Sequence, residues 1–195
     1  MQNKPELTPS YDNKIYQKYS KKTLQNKTEN KLAFQEEFGF VVDKKIPLIG
    51  ITLGLSKETG GDLFEEVIHG VMKMGVQLVV IAIGTEKYKK IVIEIAETYK
   101  KHVRIIANTE DNKRKIYASI DIGLIFGDNE EAEEEMMHYL SYGVVPVCLE
   151  KKYKKFSITN YNLVEEKGNA FTFKEKDKWL CFASVVRALE NFAFP

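Results

Sequence analysis

Cysteine is scarce: the 195 residues hold two, Cys148 and Cys181, with no Cys-x-x-Cys pair and no His/Cys cluster at ligand spacing. That argues against a disulfide framework or a structural zinc site, and a reducing cytoplasm is the compartment it suggests. Long hydrophobic runs are missing too. No stretch nears the roughly 18 consecutive apolar residues of a membrane-spanning helix. The start, Met1-Gln2-Asn3-Lys4-Pro5-Glu6, lacks the apolar centre of a secretory signal. Nor is either sign of charge in excess: the net charge is +1, which gives no global reason to expect nucleic acid or an acidic membrane as partner. Finally, no Gly-x-Gly-x-x-Gly follows the first apolar run, and no Gly-x-x-x-x-Gly-Lys-Ser/Thr occurs anywhere. Dinucleotide and P-loop readings both fail.

What is present is a composition of 44% hydrophobic and 29% charged residues, enough for the core of one soluble globular domain. From Pro47 onward two kinds of segment alternate. Short, nearly continuous apolar runs cover Leu48–Leu53, Leu78–Ile83, Val103–Ala107, Ile120–Phe126 and Val144–Leu149, with a sixth at Ala170–Phe173 after the Gly168-Asn169 turn signal. Runs of that length, apolar on both faces, suit parallel strands covered by helices on both sides. Between them Leu63, Phe64, Val67, Ile68, Val71 and Met72 repeat with helical spacing. So do Tyr88, Ile91, Val92, Ile95 and Tyr99, and again Phe182, Val185, Val186, Leu189 and Phe192. The alternation predicts an α/β fold: a single Rossmann-like domain with a mostly parallel six-stranded sheet and helices on both faces.

Residues 1–31 carry seven lysines against Glu6, Asp12 and Glu29, a local charge of 7 − 3 = +4. With few periodic apolar residues, the stretch 1–40 reads as a solvated basic arm holding one short helix near Leu24–Phe38, and 41–195 as the Rossmann-like domain. Lys151, Lys152, Lys154 and Lys155 read as a solvated loop in the same way. In doubly wound sheets ligands sit beyond the carboxyl ends of the strands, so the loops to inspect are Gly54–Gly61, Gly84–Glu86, Asn108–Asn112, Gly127–Glu135 and Glu150–Phe156. Gly60-Gly61-Asp62 opens a helix, whose first amides suit an anion.

Other candidates are weaker. His69, His102 and His138 have no Ser, Cys or Asp partner at a recognisable spacing, and read as structural or exposed. Asp128, Glu130, Glu131, Glu133, Glu134 and Glu135 diverge around a helix rather than converge on a metal, so a solvated face is expected. Met72, Met74, Met136 and Met137 read as core fillers. Trp179 is expected to pack against the sheet rather than to stack on a sugar. No catalytic residue, metal or cofactor is assigned.

Several segments then resemble one family. Lys27-Thr28-Glu29-Asn30-Lys31, Pro47-Leu48-Ile49-Gly50, Gln77-Leu78-Val79-Val80, Ile116-Tyr117-Ala118-Ser119-Ile120-Asp121 and Tyr142-Gly143-Val144-Val145-Pro146-Val147 follow the order and spacing of bacterial glycogen and plant starch synthases. Lys167-Gly168-Asn169-Ala170-Phe171 resembles that family's Gly-x-Gly-Phe turn. Thr8-Pro9-Ser10-Tyr11-Asp12 resembles its Asn-Pro-x-x-Asp segment. The similarity runs over most of residues 8–192 and matches only the C-terminal lobe of a two-lobed GT-B glycosyltransferase, the half that binds ADP-glucose or UDP-glucose. It implies the C-terminal half of a GT-B fold and, by ancestry, glucosyl transfer to an α-1,4-glucan. The lobe carrying the family's Lys-x-Gly-Gly motif and catalytic histidine has no counterpart in the sequence.

The departures fall on the family's site. Its Ser-Arg-Leu-x-x-Gln-Lys-Gly, whose Arg and Lys neutralise the leaving diphosphate, is matched by Leu53-Gly54-Leu55-Ser56-Lys57-Glu58-Thr59-Gly60. Gly54 replaces the Arg and Thr59 the Lys, with Lys57 two positions early. Loss of cations at developing phosphate charge costs orders of magnitude in rate. Asn108 stands where an aromatic residue meets the base. The Glu-Pro-x-Gly-Leu-Thr-Gln motif reads Glu130-Glu131-Ala132-Glu133-Glu134-Glu135-Met136, with Glu133 and Glu134 on its phosphate-binding positions. These carboxylates suit a helix start, at roughly 0.3–1 kcal/mol each, and repel a diphosphate by about 1–4 kcal/mol per close pair. Glu150-Lys151-Lys152-Tyr153-Lys154-Lys155 replaces the donor-contacting Thr-Gly-Gly-Leu.

In the family's register the nucleotide-sugar-binding positions that remain are Glu130 and Gly60. The departures count against ADP-glucose or UDP-glucose as ligand and predict an isolated chain that is inactive. A separate glycosyltransferase N-terminal lobe or another protein is the partner to expect, in a half of a split enzyme or in a protein-binding or regulatory module. A neutral or cationic small molecule in the old cleft is a third, weaker reading.

Overall fold

A computed structural model describes residues 8–151 and 157–193. Lys152, Lys154, Lys155 and most of the loop Glu150–Phe156 lie outside the described residues. Six strands, β1 (Leu48–Ile51), β2 (Gln77–Ile81), β3 (Val103–Ile106), β4 (Ile122–Ile125), β5 (Val145–Leu149) and β6 (Phe171–Phe173), form one sheet in the order β3-β2-β1-β4-β5-β6. Every neighbouring pair is parallel. The helices are α1 (Asn26–Glu37), α2 (Gly61–Met72), α3 (Glu86–Thr98), α4 (Glu110–Ser119), α5 (Glu130–Ser141) and α6 (Lys178–Ala193).

Alternation along each strand divides the apolar residues between two cores. Ile49, Ile51, Leu78, Val80, Ile122 and Leu124 face α2, α3 and α6, where Phe64, Ile68, Val71 and Val185 are fully buried. Leu48, Val79, Ile81 and Ile125 face α1, α4 and α5, with Phe34, Ile116, Met136, Tyr139 and Tyr142. This period of two, hidden inside uniformly apolar runs, is what a strand buried on both faces requires. Gly123 allows the second core to close, because a Cβ there would fall inside the Tyr139 ring.

Of the stretch 1–40, residues 1–7 lie outside the described residues, and the described part, 8–40, is packed on the domain rather than solvated. α1 packs along α4, and its contacts are largely polar. Lys31 is 3% exposed. Its Nζ donates to Asp121 Oδ2 at 2.6 Å and to the Lys44 carbonyl at 2.9 Å, while the Leu48 amide donates to the same Asp121 oxygen at 2.8 Å. Burial pushes both groups toward neutrality, raising the Asp121 carboxyl and lowering the Lys31 ammonium, and each charge opposes the other's shift. Lys27 Nζ donates to the carbonyls of Tyr117 and Ala118 at 2.9 and 3.1 Å, closing the C-terminus of α4.

Upstream, Asp12 is 2% exposed. It accepts from Arg114 Nε at 2.9 Å, the Tyr142 hydroxyl at 2.6 Å and the Lys14 amide at 2.8 Å. Burial alone would raise its carboxyl, yet Arg114, Tyr142 and that amide hold it below the usual aspartate value. The solvated reading fails because the inward stripe of α1 is Asn30, Lys31, Phe34 and Gln35, which is buried but not apolar.

Two smaller expectations also change. Met72 and Met136 are buried, but Met74, just past the end of α2, and Met137, on α5 beside its buried stripe, are more than a third exposed. Trp179 does not pack against the sheet: it stands 70% exposed on the first turn of α6.

Candidate functional site

β1 and β4 lie side by side and their following loops diverge to opposite faces, the crevice where doubly wound sheets bind ligands. A cleft of about 570 Å³ occupies it. Its walls come from the β1–α2 loop (Leu53, Gly54, Ser56, Thr59), the end of β2 (Ile83, Gly84), α4 (Glu110, Lys113, Tyr117) and α5 (Glu131, Glu134, Glu135, His138).

The β1–α2 loop is closed upon itself. Thr59 Oγ1 accepts from the Ser56 amide at 2.7 Å and donates to the Gly54 carbonyl at 2.6 Å. The amides of Gly60 and Gly61, the first that could face an anion, donate instead to the carbonyls of Lys57 and Ser56, at 3.2 and 2.7 Å. Gly60 adopts a left-handed conformation (φ 84°) as the residue before α2, and a Cβ there would run into Phe126. It is a packing glycine and does not line the cleft. At Gly54 a Cβ would come within 3.1 Å of Ile83 Cγ2, and Lys57 points to solvent outside the lining. The loop thus presents a threonine hydroxyl already committed to backbone, and no cation.

The opposite wall is acidic. Asn129 caps α5 by accepting from the Ala132 amide at 3.0 Å, and Glu130, Glu131 and Glu133 follow in the first turn. Glu130 is exposed and outside the lining; Glu131 and Glu134 line the cleft from exposed positions. Asn108 is exposed and lines nothing in the cleft. Taken together, the lining carries Glu110, Glu131, Glu134 and Glu135 against Lys113 and His138.

The floor holds Glu135, which is buried rather than on the solvated face expected of that carboxylate cluster, together with Thr52, Tyr117 and Tyr139, which the sequence did not single out as a site. Glu135 is 5% exposed and accepts from the hydroxyls of Thr52 and, at 3.1 Å, Tyr117. Thr52 Oγ1 also lies 2.6 Å from the Tyr139 hydroxyl. Burial, with the Glu135 charge beside it, pushes the Tyr117 and Tyr139 phenols well above their ordinary values, so both remain protonated donors. The Tyr117 ring stacks on His138, with centroids 5.3 Å apart and planes 16° from parallel. A signal for Glu135 existed: it sits on the inward stripe with Ala132, Met136 and Tyr139. Chemically the cleft offers carboxylates, hydroxyls and one ammonium. Among the described residues no group of three or more His, Cys, Asp or Glu side chains is arranged to hold a metal, and no helix is long and apolar enough to cross a membrane.

Over 188 residues the chain is 30% identical to the glycogen synthase of Thermosipho melanesiensis, covering 96% of this chain and 39% of that protein. To the glycogen synthase of Clostridium perfringens it is 33% identical over 190 residues, again 96% of this chain and 39% of the relative. Among solved structures it superposes on the catalytic domain of starch synthase IV from Arabidopsis thaliana, bound to ADP and acarbose, with a TM-score of 0.76 at 22% identity, covering 96% of this chain and 40% of that one. A glycosyltransferase from Rickettsia africae gives 0.57 at 12% identity, over 90% of this chain and 44% of that one. No family model matches. The chain spans about two fifths of its curated relatives' length, and the match is to their C-terminal lobe.

Proposed function

We infer, from the premise that the chain is a member of the glycogen/starch synthase family matched along that family's C-terminal lobe, that it is a degenerate donor lobe, unable by itself to transfer glucose. The observation that carries this reading is the charge of the cleft: Glu110, Glu131, Glu134 and Glu135 against Lys113. A nucleotide diphosphate brings two or three negative charges, and its departure needs cations aimed at the developing charge. Gly54 and Thr59 stand where the family supplies them, and the loop amides nearby are spent on Lys57 and Ser56. Glu130 and Gly60 keep the family's residue types in register, but neither borders the cleft.

The test is isothermal calorimetry of the chain against ADP, ADP-glucose and UDP-glucose, paired with an assay of glucosyl transfer to glycogen. The expected results are no heat at millimolar ligand and no transfer. Micromolar binding of any of the three, or measurable transfer, overturns the reading.

A second reading draws on the 39% coverage of the relatives. In it this lobe works only when a separate acceptor lobe closes over the cleft and brings the missing cations. Co-purification of such a chain, with donor binding restored in the complex, would favour it over the first.

A further inference from the structure

We propose that the free edge of the sheet at β3, with the apolar groove beside it, pairs with the same edge of a second copy of this chain about a two-fold axis. The two edges of the sheet differ. Beyond β6 the chain covers its own edge: the Thr172 amide donates to Asn160 Oδ1 at 3.0 Å, and the Tyr161 amide to the Ala170 carbonyl at 2.7 Å. β3 pairs with β2 alone. The amides of Leu78 and Ala82 donate to the carbonyls of His102 and Ile106. The even-numbered residues of β3 therefore turn their backbone groups toward β2, and Val103 and Ile105 turn theirs outward. Val103 is satisfied locally, its amide by the Tyr99 carbonyl and its carbonyl by Arg104 Nη1. The N–H and C=O of Ile105 have no partner among the described residues.

Natural sheets blunt such an edge with lysine or proline. Val103–Ile106 has neither, and its one charged side chain, Arg104, is spent on the carbonyls of Phe38 and Lys100. Instead Ile83, Ile93 and Ile105, each more than a third exposed, line a groove of about 220 Å³. Unpaired backbone beside an apolar groove calls for an extended chain with apolar side chains, and β3 is itself such a chain. In an antiparallel pair, residues directly opposite exchange both hydrogen bonds. Ile105 laid against Ile105 of a second copy therefore satisfies all four groups and brings the isoleucines of both grooves together.

Charge selects a second copy over any other strand. α3 packs over this edge, and its stripe through the groove reads Glu86, Lys89, Ile93 and Glu97, followed by Lys100 just past its end, all exposed. Residues spaced three and four apart share one helix face. A two-fold axis through Ile93 sets Glu86 against Lys100 and Lys89 against Glu97, each contact made twice. Within the chain Lys89 meets Glu86, its neighbour on the same helix, at 3.1 Å. Glu97 and Lys100 form no salt bridge among the described residues. The same patch serves both copies, so the contact closes at two. Of the groove's residues only Ile83 also borders the cleft, and the pairing is separate from what the cleft binds.

Sedimentation velocity on the intact chain should show a reversible species of twice 22.4 kDa, half-formed at about 10–100 µM. Ile105→Lys, which puts a charge on the edge, should leave only monomer up to about 100 µM. Glu97→Lys should weaken the dimer by roughly three- to ten-fold, because each lost pair occurs twice. The double variant Lys89→Glu, Glu97→Lys restores opposite charges across the axis and should recover most of that loss, which a contact elsewhere on the surface would not do. A chain still monomeric at about 500 µM, or a mass that keeps growing past two copies, overturns the proposal. So does a dimer that Ile105→Lys or Glu97→Lys leaves as tight as wild type, or one that the double variant fails to restore.

Discussion

Beneath α1 the Lys31 ammonium is 3% exposed and meets Asp121 at 2.6 Å. In the cleft, Glu131 and Glu134 stand in solvent on a wall whose lining holds Lys113 as its single lysine. Both regions are charged, and they use charge in opposite ways. In the first, Asp12, Lys27, Lys31, Arg114 and Asp121 are each tied to a carbonyl, a hydroxyl or an opposite charge. Removing one would strand another in a place water cannot easily reach. In the second, the exposed carboxylates have no such partners, and the fold does not depend on them. The two sets of charges share no residue, so the charge of the cleft can be altered without touching the network that holds α1.

The strongest way to break that comparison is to cut the first network. Lys31→Ala leaves the largely buried Asp121, 18% exposed, without its counter-charge and should cost about 3 kcal/mol, the low end for a broken buried pair, in urea unfolding. Lys21→Ala, at an exposed position of the same segment, should stay within roughly 0.5 kcal/mol of wild type. A loss below about 1 kcal/mol for Lys31→Ala would mean that the Lys31–Asp121 network adds little to the fold.

The sheet and its helices were legible because the signal there is apolar: five runs between Leu48 and Leu149, and stripes such as Phe64–Ile68–Val71, map onto strands and helices within a few residues. The packing of α1 was not legible, because its buried stripe is Asn30, Lys31 and Gln35 beside Phe34. Lysine inside a basic segment looks like solvated charge until Asp121, ninety residues away, is brought to it. The candidate site divides in the same way. Gly54, Thr59, Glu133 and Glu134 could be read against the family pattern, since that comparison needs only register; in the structure Glu134 lines the cleft, with Glu131 beside it, while Glu133 does not. The Thr52–Glu135–Tyr117–Tyr139 floor required the fold to bring three elements together: the end of β1, α4 and α5.

A smaller effect sharpens the contrast through pH. Burial among the α4 carbonyls pushes the Lys27 ammonium down to about 7 from 10.5. Between these values the unfolded chain binds more protons than the folded one, so stability rises with pH. The slope is at most about 1.4 kcal/mol per pH unit, and less to the extent that water reaches the ammonium. Cys148 and Cys181 work the other way: burial raises both thiols from 9 to about 12, so the folded chain keeps protons that the unfolded one loses, and stability falls as pH climbs through that window. At the acid end, Asp12 is held below its ordinary 3.8. Its contribution is present above that value and is lost as pH falls through the lower one. Urea midpoints should therefore peak between neutral pH and about 9, and Lys27→Met should flatten the rising limb. Cleft variants such as Glu134→Gln should leave this profile in place.

The smallest expected change in stability is also the most direct test of the cleft. The double variant Glu131→Gln, Glu134→Gln removes two exposed carboxylates from the lining. Interaction with the helix dipole would make the loss cost about 0.3–1 kcal/mol for Glu131, in the first turn. Relief of repulsion between neighbouring carboxylates offsets part of that cost, so the net change should be about 0.5 kcal/mol or less. Binding should respond more. If the acidic wall is what rejects a diphosphate, its removal lowers the repulsion by about 1 kcal/mol or more per close pair, and ADP should become measurable by calorimetry. If ADP stays unbound, the block lies in the opposite loop, where Thr59 and the Gly60 and Gly61 amides are already bonded to their own backbone. Relieving charge cannot free those groups. In that outcome the cleft was closed by the folding of its own loop before any carboxylate was added, and the acidic face of α5 is a consequence of a lost ligand rather than its cause.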